Sequence, residues 1–283
     1  MLNIPYSVWS GMFNDLSPEQ AVDELSSAGF RYAELSLEHG IDMLAQREGT
    51  PAQIGAALKQ YAAERDFAFI QGHLNMDLEL DNPTDVEELK RWLEMFAALG
   101  IKSAVLHATG AYDEPYEKQL EVRSAAIREL VEHIKDTDLV ICLENLVSKP
   151  MVRTVDGILE LIEACGGGEH LGICLDIGHL HRANFHGLTK QTSREFVEKA
   201  GDKLKALHIQ DNHGENDDHL LPFTANGLKW KMLMQALEAS GYDRLFNMEL
   251  PGEFFAPLAV RRMKVRYAKQ LTEYMFSDEF IHG

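Results

Sequence analysis

Six apolar, strand-like stretches of this sequence each end in a side chain that can bind a metal ion or move a proton. These side chains belong to His73, His107, Glu144, Asp176, His208 and Glu249. They follow one another at intervals of 32 to 41 residues, about the length of a strand, a helix and two loops. A chain that delivers one polar group per strand–helix unit is expected to gather those groups at one edge of a parallel sheet.

Four members of this series, Glu144, Asp176, His208 and Glu249, are candidate metal ligands. Without a cation, three clustered carboxylates would repel one another and raise each other's pKa values. A divalent ion removes that repulsion, and mixed oxygen and nitrogen ligands suit Zn²⁺, Mn²⁺, Fe²⁺ or Co²⁺ better than Mg²⁺. A single carboxylate or histidine at a strand end is more often a helix cap or a structural residue. The metal hypothesis therefore depends on the agreement across strand ends.

The elements that must position these side chains alternate along the chain. The sequence predicts eight near-continuous apolar strands separated by eight helices, a pattern typical of a parallel sheet covered by helices. The predicted strands are 4–9, 32–37, 67–73, 101–107, 139–146, 171–177, 204–210 and 244–250. An open doubly wound sheet has the same order of elements, but six strand ends converge on one point only when the sheet closes. The predicted fold class is α/β, a single (β/α)8 TIM barrel over residues 1–283, with its site at the C-terminal face of the strands.

Helix boundaries are predicted from capping and glycine signals. Pro18 opens a first helix that Gly29 ends, as expected of proline at a first turn and glycine past a last one. After strand 171–177 the sequence predicts a histidine-rich loop and then a helix that ends at Lys199. The basic run 261–266 on the last helix is predicted to be a solvent-exposed face.

The composition restricts the classes of partner. The chain has 27 Lys and Arg against 45 Asp and Glu, a net charge of −18, which disfavours nucleic acid and anionic membranes as partners. No apolar run is long enough to span a bilayer, and the first residues lack the basic segment of a signal peptide. Cys142, Cys165 and Cys174 have no disulfide spacing, so we expect reduced thiols in a cytoplasmic protein. The composition is compatible with a homo-oligomer.

Seven segments resemble a known superfamily. They are GHLNMDLELDNP (72–83), VLHATG (105–110), CLEN (142–145), CLDIGH (174–179), LHIQDN (207–212), DDHLLP (217–222) and MELPGE (248–253). Together they resemble the xylose isomerase-like TIM barrels, which include sugar isomerases and epimerases, sugar dehydratases and abasic-site endonucleases of the endonuclease IV type. The resemblance covers nearly the whole chain. It implies Glu144, Asp176, His208 and Glu249 as metal ligands and His179 as a contact to substrate.

The endonuclease branch of this superfamily extends the site to three zinc ions. By resemblance, His73 and His107 would correspond to ligands of the first zinc. His179, Asp217 and His219 would correspond to ligands of the third. Every one of these positions is filled, so the ligand set does not separate the branches. The acidic loops beyond the strand ends favour the sugar enzymes, because a DNA-binding face needs clustered Lys and Arg.

We therefore predict a divalent-metal-dependent isomerase or epimerase of a sugar or sugar phosphate, with Glu144, Glu249 and His179 as catalytic residues. A dehydratase of a sugar or inosose remains open on the same site, as does an endonuclease IV-like zinc enzyme; a metal-binding barrel without catalysis is least favoured. Segment 210–216 lacks the arginine of tagatose-epimerase relatives, which leaves the substrate open. The candidates for stacking on a sugar ring, or for packing, are Trp9, Phe13, Trp230 and Phe254.

Overall fold

Eight parallel strands form one sheet in the computed structural model, which describes residues 2–253 and 255–283. The strands are β1 (Tyr6–Val8), β2 (Tyr32–Leu35), β3 (Ala68–His73), β4 (Ser103–Leu106), β5 (Val140–Glu144), β6 (Leu171–Asp176), β7 (Leu204–Ile209) and β8 (Phe246–Met248). Each strand from β2 to β8 pairs with the next, and β8 pairs with β1. Strands β1 and β2 lie side by side, but no ladder joins them among the described residues. The sheet is a nearly closed barrel, and the predicted (β/α)8 fold is confirmed.

The helices between the strands cover the outside of the barrel. Those within the described residues are α1 (Pro18–Ser27), α2 (Leu37–Gln46), α3 (Pro51–Ala63), α4 (Pro83–Leu99), α5 (Tyr116–Ile134), α6 (Val155–Ala164), α7 (Ile177–Phe185), α8 (Ser193–Ala200), α9 (Trp230–Ser240), α10 (Leu258–Met275) and α11 (Asp278–His282). Ser17 and Thr50 form capping boxes at α1 and α3, and each of these helices begins with proline. Within the described residues, no helix has both the length and the apolar character needed to cross a membrane.

The connections that follow β2 and β6 differ from the prediction. Strand β2 ends at Leu35, because the Ser36 side chain accepts a hydrogen bond from the backbone of His39 and starts α2, a helix the sequence reading did not predict. The prediction of a histidine-rich loop after β6 is wrong, because α7 begins directly at the end of that strand. The Asp176 carboxylate caps α7 by accepting a hydrogen bond of 2.6 Å from the backbone N–H of His179. His179 therefore lies on the first turn of a helix.

Strand alternation explains why the candidate ligands point into the barrel. Val105, Cys142, Cys174 and Ala206 form a small buried cluster that is separate from the main core between sheet and helices. Side chains two residues apart on a strand point to the same face. Two residues after each member of this cluster, on the strand or just past its end, comes a polar residue: His107, Glu144, Asp176 and His208. They therefore form the next layer of the barrel interior, at its C-terminal end.

Arg261 departs from the solvent-exposed face predicted for the basic run on α10, whereas Arg262 and Arg266 of that run are exposed as predicted. The Arg261 side chain is only 5 % exposed, and its guanidinium donates to both carboxylate oxygens of Asp15 and lies 5.6 Å from the centre of the Phe13 ring. Helix α10 packs beside β1, and the following positions Arg262 and Lys264 pair with Glu24 and Glu253. The long apolar stem of an arginine can be buried when its guanidinium pairs with a carboxylate near the protein surface.

We expect Arg261→Ala to lower the free energy of unfolding by roughly 1–3 kcal/mol, because it removes buried stem contacts as well as an ion pair. Arg266→Ala is the matched control, since Arg266 is an exposed residue of the same helix. The control should change stability by less than about 0.5 kcal/mol. Urea denaturation of the three proteins measures both effects. Equal stability of the two variants would contradict the buried role of Arg261.

Candidate metal centre

The four candidate ligands meet at the C-terminal end of the barrel. Asp176, His208 and Glu249 each offer a ligand atom, and these atoms lie within 4.8 Å of one another. The Nδ1 atom of His208 is 3.3 Å from a Glu144 oxygen and 3.4 Å from a Glu249 oxygen. All four residues are buried, with at most 6 % of their surface exposed to solvent. Three acids and one imidazole, from four different strand ends, therefore surround one small volume.

Two of these ligand atoms lack a hydrogen-bond partner. In the part of the chain that the structure describes, Asp176 Oδ2 and His208 Nδ1 are buried and make no hydrogen bond. Buried polar atoms are nearly always paired, because an unpaired one loses its water without replacement. His208 Nδ1 faces Glu144 and Glu249, and both unpartnered atoms are of the kinds that bind metal ions in proteins. The residues present thus fit a divalent metal ion.

Electrostatics inside the cluster point the same way. Burial, together with the charges of Asp217, Glu144 and Glu249, raises the pKa of Asp176 to about 7. Burial also disfavours the charge of Glu144, but the surrounding histidines, His208 foremost, hold the pKa of Glu144 well below its ordinary value. The histidines thus compensate one carboxylate and leave another poorly compensated. A bound cation would stabilise the ionised form of Asp176.

His73 and His107 form a second group on the other side of Glu144. The Nε2 atoms of His107 and His73 lie 3.0 Å and 3.5 Å from the same Glu144 oxygen, and one ligand atom from each of the three residues lies within 4.8 Å of the others. The Nδ1 atom of His73 contacts the Leu74 carbonyl oxygen at 2.7 Å. That bond directs Nε2 of His73 toward Glu144.

The remaining candidates, His179, Asp217 and His219, line the mouth of the site. Asp217 Oδ2 is 2.9 Å from Nε2 of His179 and 3.6 Å from Nε2 of His219. Burial opposes the charge of both histidines, but neighbouring carboxylates raise the pKa of His179 well above its ordinary value and that of His219 to about 9. The Nδ1 atom of His179 is 3.2 Å from a Glu144 oxygen, so His179 connects the mouth of the site with the candidate ligands.

Glu34 is a site residue that the sequence reading missed. Its carboxylate is fully buried and lies 3.1 Å from Nε2 of His208. The predicted ligands all stand at strand ends, whereas Glu34 is an interior residue of β2, where it resembles one polar position of an alternating strand. The available signal in the sequence was a single acid between apolar strand residues. An acid is almost never fully buried without a partner, so such a position indicates a buried partner elsewhere in the fold.

A pocket of about 180 Å³ opens above the cluster, and its lining includes Trp9, Leu37 and Glu38 as well as Asp217. The Trp9 indole is held by a 2.9 Å hydrogen bond from Nε1 to the Leu250 carbonyl oxygen. Of the other aromatic candidates, Phe13 and Trp230 are buried packing residues, and Phe254 lies outside the described residues.

Curated relatives match part of the chain. An uncharacterized protein of Sinorhizobium fredii, y4fM, is 30% identical over 171 residues, which are 59% of this chain and 52% of that protein. A probable endonuclease 4 of Oceanobacillus iheyensis is 29% identical over 143 residues, 47% of this chain and 46% of that protein. The chain thus spans about half the length of the curated relatives it matches.

Solved structures with the same fold cover nearly the whole chain. A D-tagatose 3-epimerase-like protein superposes with a TM-score of 0.77 at 20% identity and covers 98% of both chains. D-psicose 3-epimerase of Clostridium cellulolyticum H10, solved with D-tagatose, gives 0.79 at 13% identity and covers 97% of this chain and 100% of its own. At these identities the likeness shows the fold.

The profile of one protein family matches residues 22–269, which include every candidate ligand described above. The resemblance read from the sequence motifs is therefore confirmed. The chain belongs to the xylose isomerase-like TIM barrel family.

Proposed function

We propose that this protein is a divalent-metal-dependent isomerase or epimerase of a small carbohydrate. The observation that supports it most is the group of Glu144, Asp176, His208 and Glu249, in which two buried donor atoms lack partners among the described residues. These four residues would hold the ion, which is Zn²⁺, Mn²⁺, Fe²⁺ or Co²⁺ by donor chemistry. The fold shared with sugar epimerases agrees with this proposal.

A divalent ion held there supplies polarisation of a substrate carbonyl, which acidifies the neighbouring C–H bond. Glu144 and Glu249 lie 3.3 Å and 3.4 Å from the same His208 nitrogen, so the two carboxylates flank the cluster from different strands. Removal of the proton by one carboxylate and its return by the other gives epimerisation or isomerisation. Loss of a neighbouring hydroxyl gives dehydration instead. His179 would bind a substrate oxygen.

The pocket walls suit a polyhydroxylated ligand. One Glu38 oxygen is buried without a partner among the described residues, although Glu38 lines the pocket. An ionised carboxylate accepts hydrogen bonds only, so Glu38 suits a substrate hydroxyl. The rigidly held Trp9 indole offers the apolar surface that the C–H face of a sugar requires.

Abasic-site endonuclease is the second candidate function. It is favoured by the His73–His107–Glu144 group, by the contact of Asp217 with two histidines, and by the partial likeness to probable endonuclease 4 proteins. Against it stands the charge of −18, because approach to DNA phosphates depends on clustered cations. Assays of the purified protein on ketoses, ketose phosphates, inososes and an abasic oligonucleotide distinguish the epimerase, dehydratase and endonuclease alternatives.

Asp176→Asn is expected to weaken metal binding by well over about 10-fold. A residue that binds the metal directly contributes more to affinity than a residue that only orients a ligand, whose loss already costs about that much. Glu215→Gln is the matched control: it also removes one carboxylate, from an exposed position in the loop after β7. Elemental analysis after dialysis against a weak chelator measures retained metal. Full occupancy of the Asp176→Asn protein would refute the proposed ligand set.

Glu249→Gln separates ligation from proton transfer. The amide keeps an oxygen that can ligate but removes the basic site. If Glu249 carries the proton, turnover should fall at least roughly 100-fold while metal content falls much less. Both quantities are measured on one preparation with saturating Mn²⁺ or Co²⁺. Recovery of near wild-type turnover under that condition would show that Glu249 is only a ligand.

No nicking of an abasic DNA duplex is expected at catalytic enzyme concentrations, because the acidic surface opposes phosphate approach. The assay compares abasic and intact duplexes with protein prepared in excess zinc, and the bound zinc is counted. Metal-dependent cleavage confined to the abasic duplex would contradict the expectation, and three bound zinc ions per chain would favour the endonuclease alternative.

A further inference from the structure

We propose that Glu34 is a positioning residue for the metal centre, an inference that rests on the metal site proposed above. Both Glu34 oxygens lie 3.1 Å from Nε2 of His208, and neither residue has measurable solvent exposure. An ionised carboxylate only accepts hydrogen bonds, so Nε2 of His208 must be the donor. The other ring nitrogen, Nδ1, then faces Glu144 and Glu249 as the metal donor.

Glu34 is itself held by further donors. Gln71 Nε2 donates to it at 2.6 Å and Asn247 Nδ2 at 2.5 Å, while Ser7 donates to the Asn247 side-chain oxygen at 2.7 Å. Three donors converging on one carboxylate offset the cost of burying its charge and fix its position. The His208 ring is therefore oriented by a group that cannot itself rotate freely.

The backbone of β2 places Glu34 toward the barrel interior. Its pairing with β3 shifts register between Ala33 and Glu34, an irregularity of the bulge type. Bulges redirect side chains and are common next to functional sites. The neighbours Ala33 and Leu35 belong to the main core between sheet and helices. Glu34 thus faces inward, where it meets His208.

The same network spans the incomplete closure of the barrel. It joins Ser7 of β1, Glu34 of β2, Gln71 of β3, His208 of β7 and Asn247 of β8. Among the described residues, β1 and β2 share no backbone ladder. Side-chain bonds at this level therefore hold strands together where backbone bonds do not.

Glu34→Gln tests this role. The amide presents an N–H₂ group that can donate to Nε2 of His208 and so favour the tautomer in which Nδ1 carries the proton. We expect its affinity for Zn²⁺ and Co²⁺ to fall by about 10- to 100-fold at constant pH, measured by chelator competition. The visible absorption of the Co²⁺ form should also change, because it reports coordination geometry. Ser7→Ala is the control, since it breaks the same network without touching the Glu34–His208 contact.

A positioning role predicts weakened binding in Glu34→Gln and unchanged binding in Ser7→Ala. Wild-type affinity and Co²⁺ spectrum in Glu34→Gln would overturn it, and so would equal weakening in both variants, which indicates a structural effect alone. Wild-type protein that binds neither ion would overturn the metal site and this inference together. Wild-type protein that binds tightly confines any failure to Glu34.

A measurement on the wild-type protein covers the case in which Glu34→Gln does not fold. In the Zn²⁺-loaded protein, long-range ¹⁵N–¹H spectra should show His208 with a proton on Nε2 and zinc on Nδ1, the resonances being assigned with a His208→Gln variant. A proton on Nδ1 and zinc on Nε2 would overturn the inference.

Discussion

Four carboxylates buried inside the upper barrel, those of Glu34, Glu144, Asp176 and Glu249, set the conditions that the rest of the site must meet. Buried charge is tolerated only when donors or cations replace the lost water. Three side-chain donors do this for Glu34, and histidines do it for Glu144. Asp176 is only partly compensated, because one oxygen caps α7 and the other lacks a partner among the described residues. A divalent ion bound there would complete the balance.

The barrel provides these positions through strand alternation. One layer of its interior is made of small apolar side chains on β4 to β7, including Cys142 and Cys174, and of polar side chains on β8 and β1 to β3, including Asn247 and Gln71. The apolar half is the layer next to Glu144 and Asp176, because Cys142 and Cys174 precede them by two residues on β5 and β6. The polar half, with Glu34, supports His208 by hydrogen bonds. The acids of the candidate metal site thus lie next to an apolar layer, whereas its imidazole is held by a hydrogen-bonded polar layer.

The sequence predicted the barrel because apolar strands and capped helices are local signals, and it predicted the candidate ligands because they recur at strand ends. It did not predict Glu34, whose importance arises from contacts with β3, β7 and β8 that are distant in the chain. The burial of Arg261 escaped for the same reason, since its partner Asp15 lies far away in sequence. The sequence predicts a histidine-rich loop in place of α7, because it favours Asp176 as a ligand, whereas one Asp176 oxygen caps the helix.

The proposed function depends on the binding of one divalent ion among Glu144, Asp176, His208 and Glu249. A crystal structure of the protein loaded with Mn²⁺ or Zn²⁺, measured at the absorption edge of that metal, tests it most directly. We expect one strong anomalous peak within coordination distance, about 2.0–2.3 Å, of Nδ1 of His208 and of oxygens from the three acids. A peak absent from this position, or confined to His73 and His107, would contradict it.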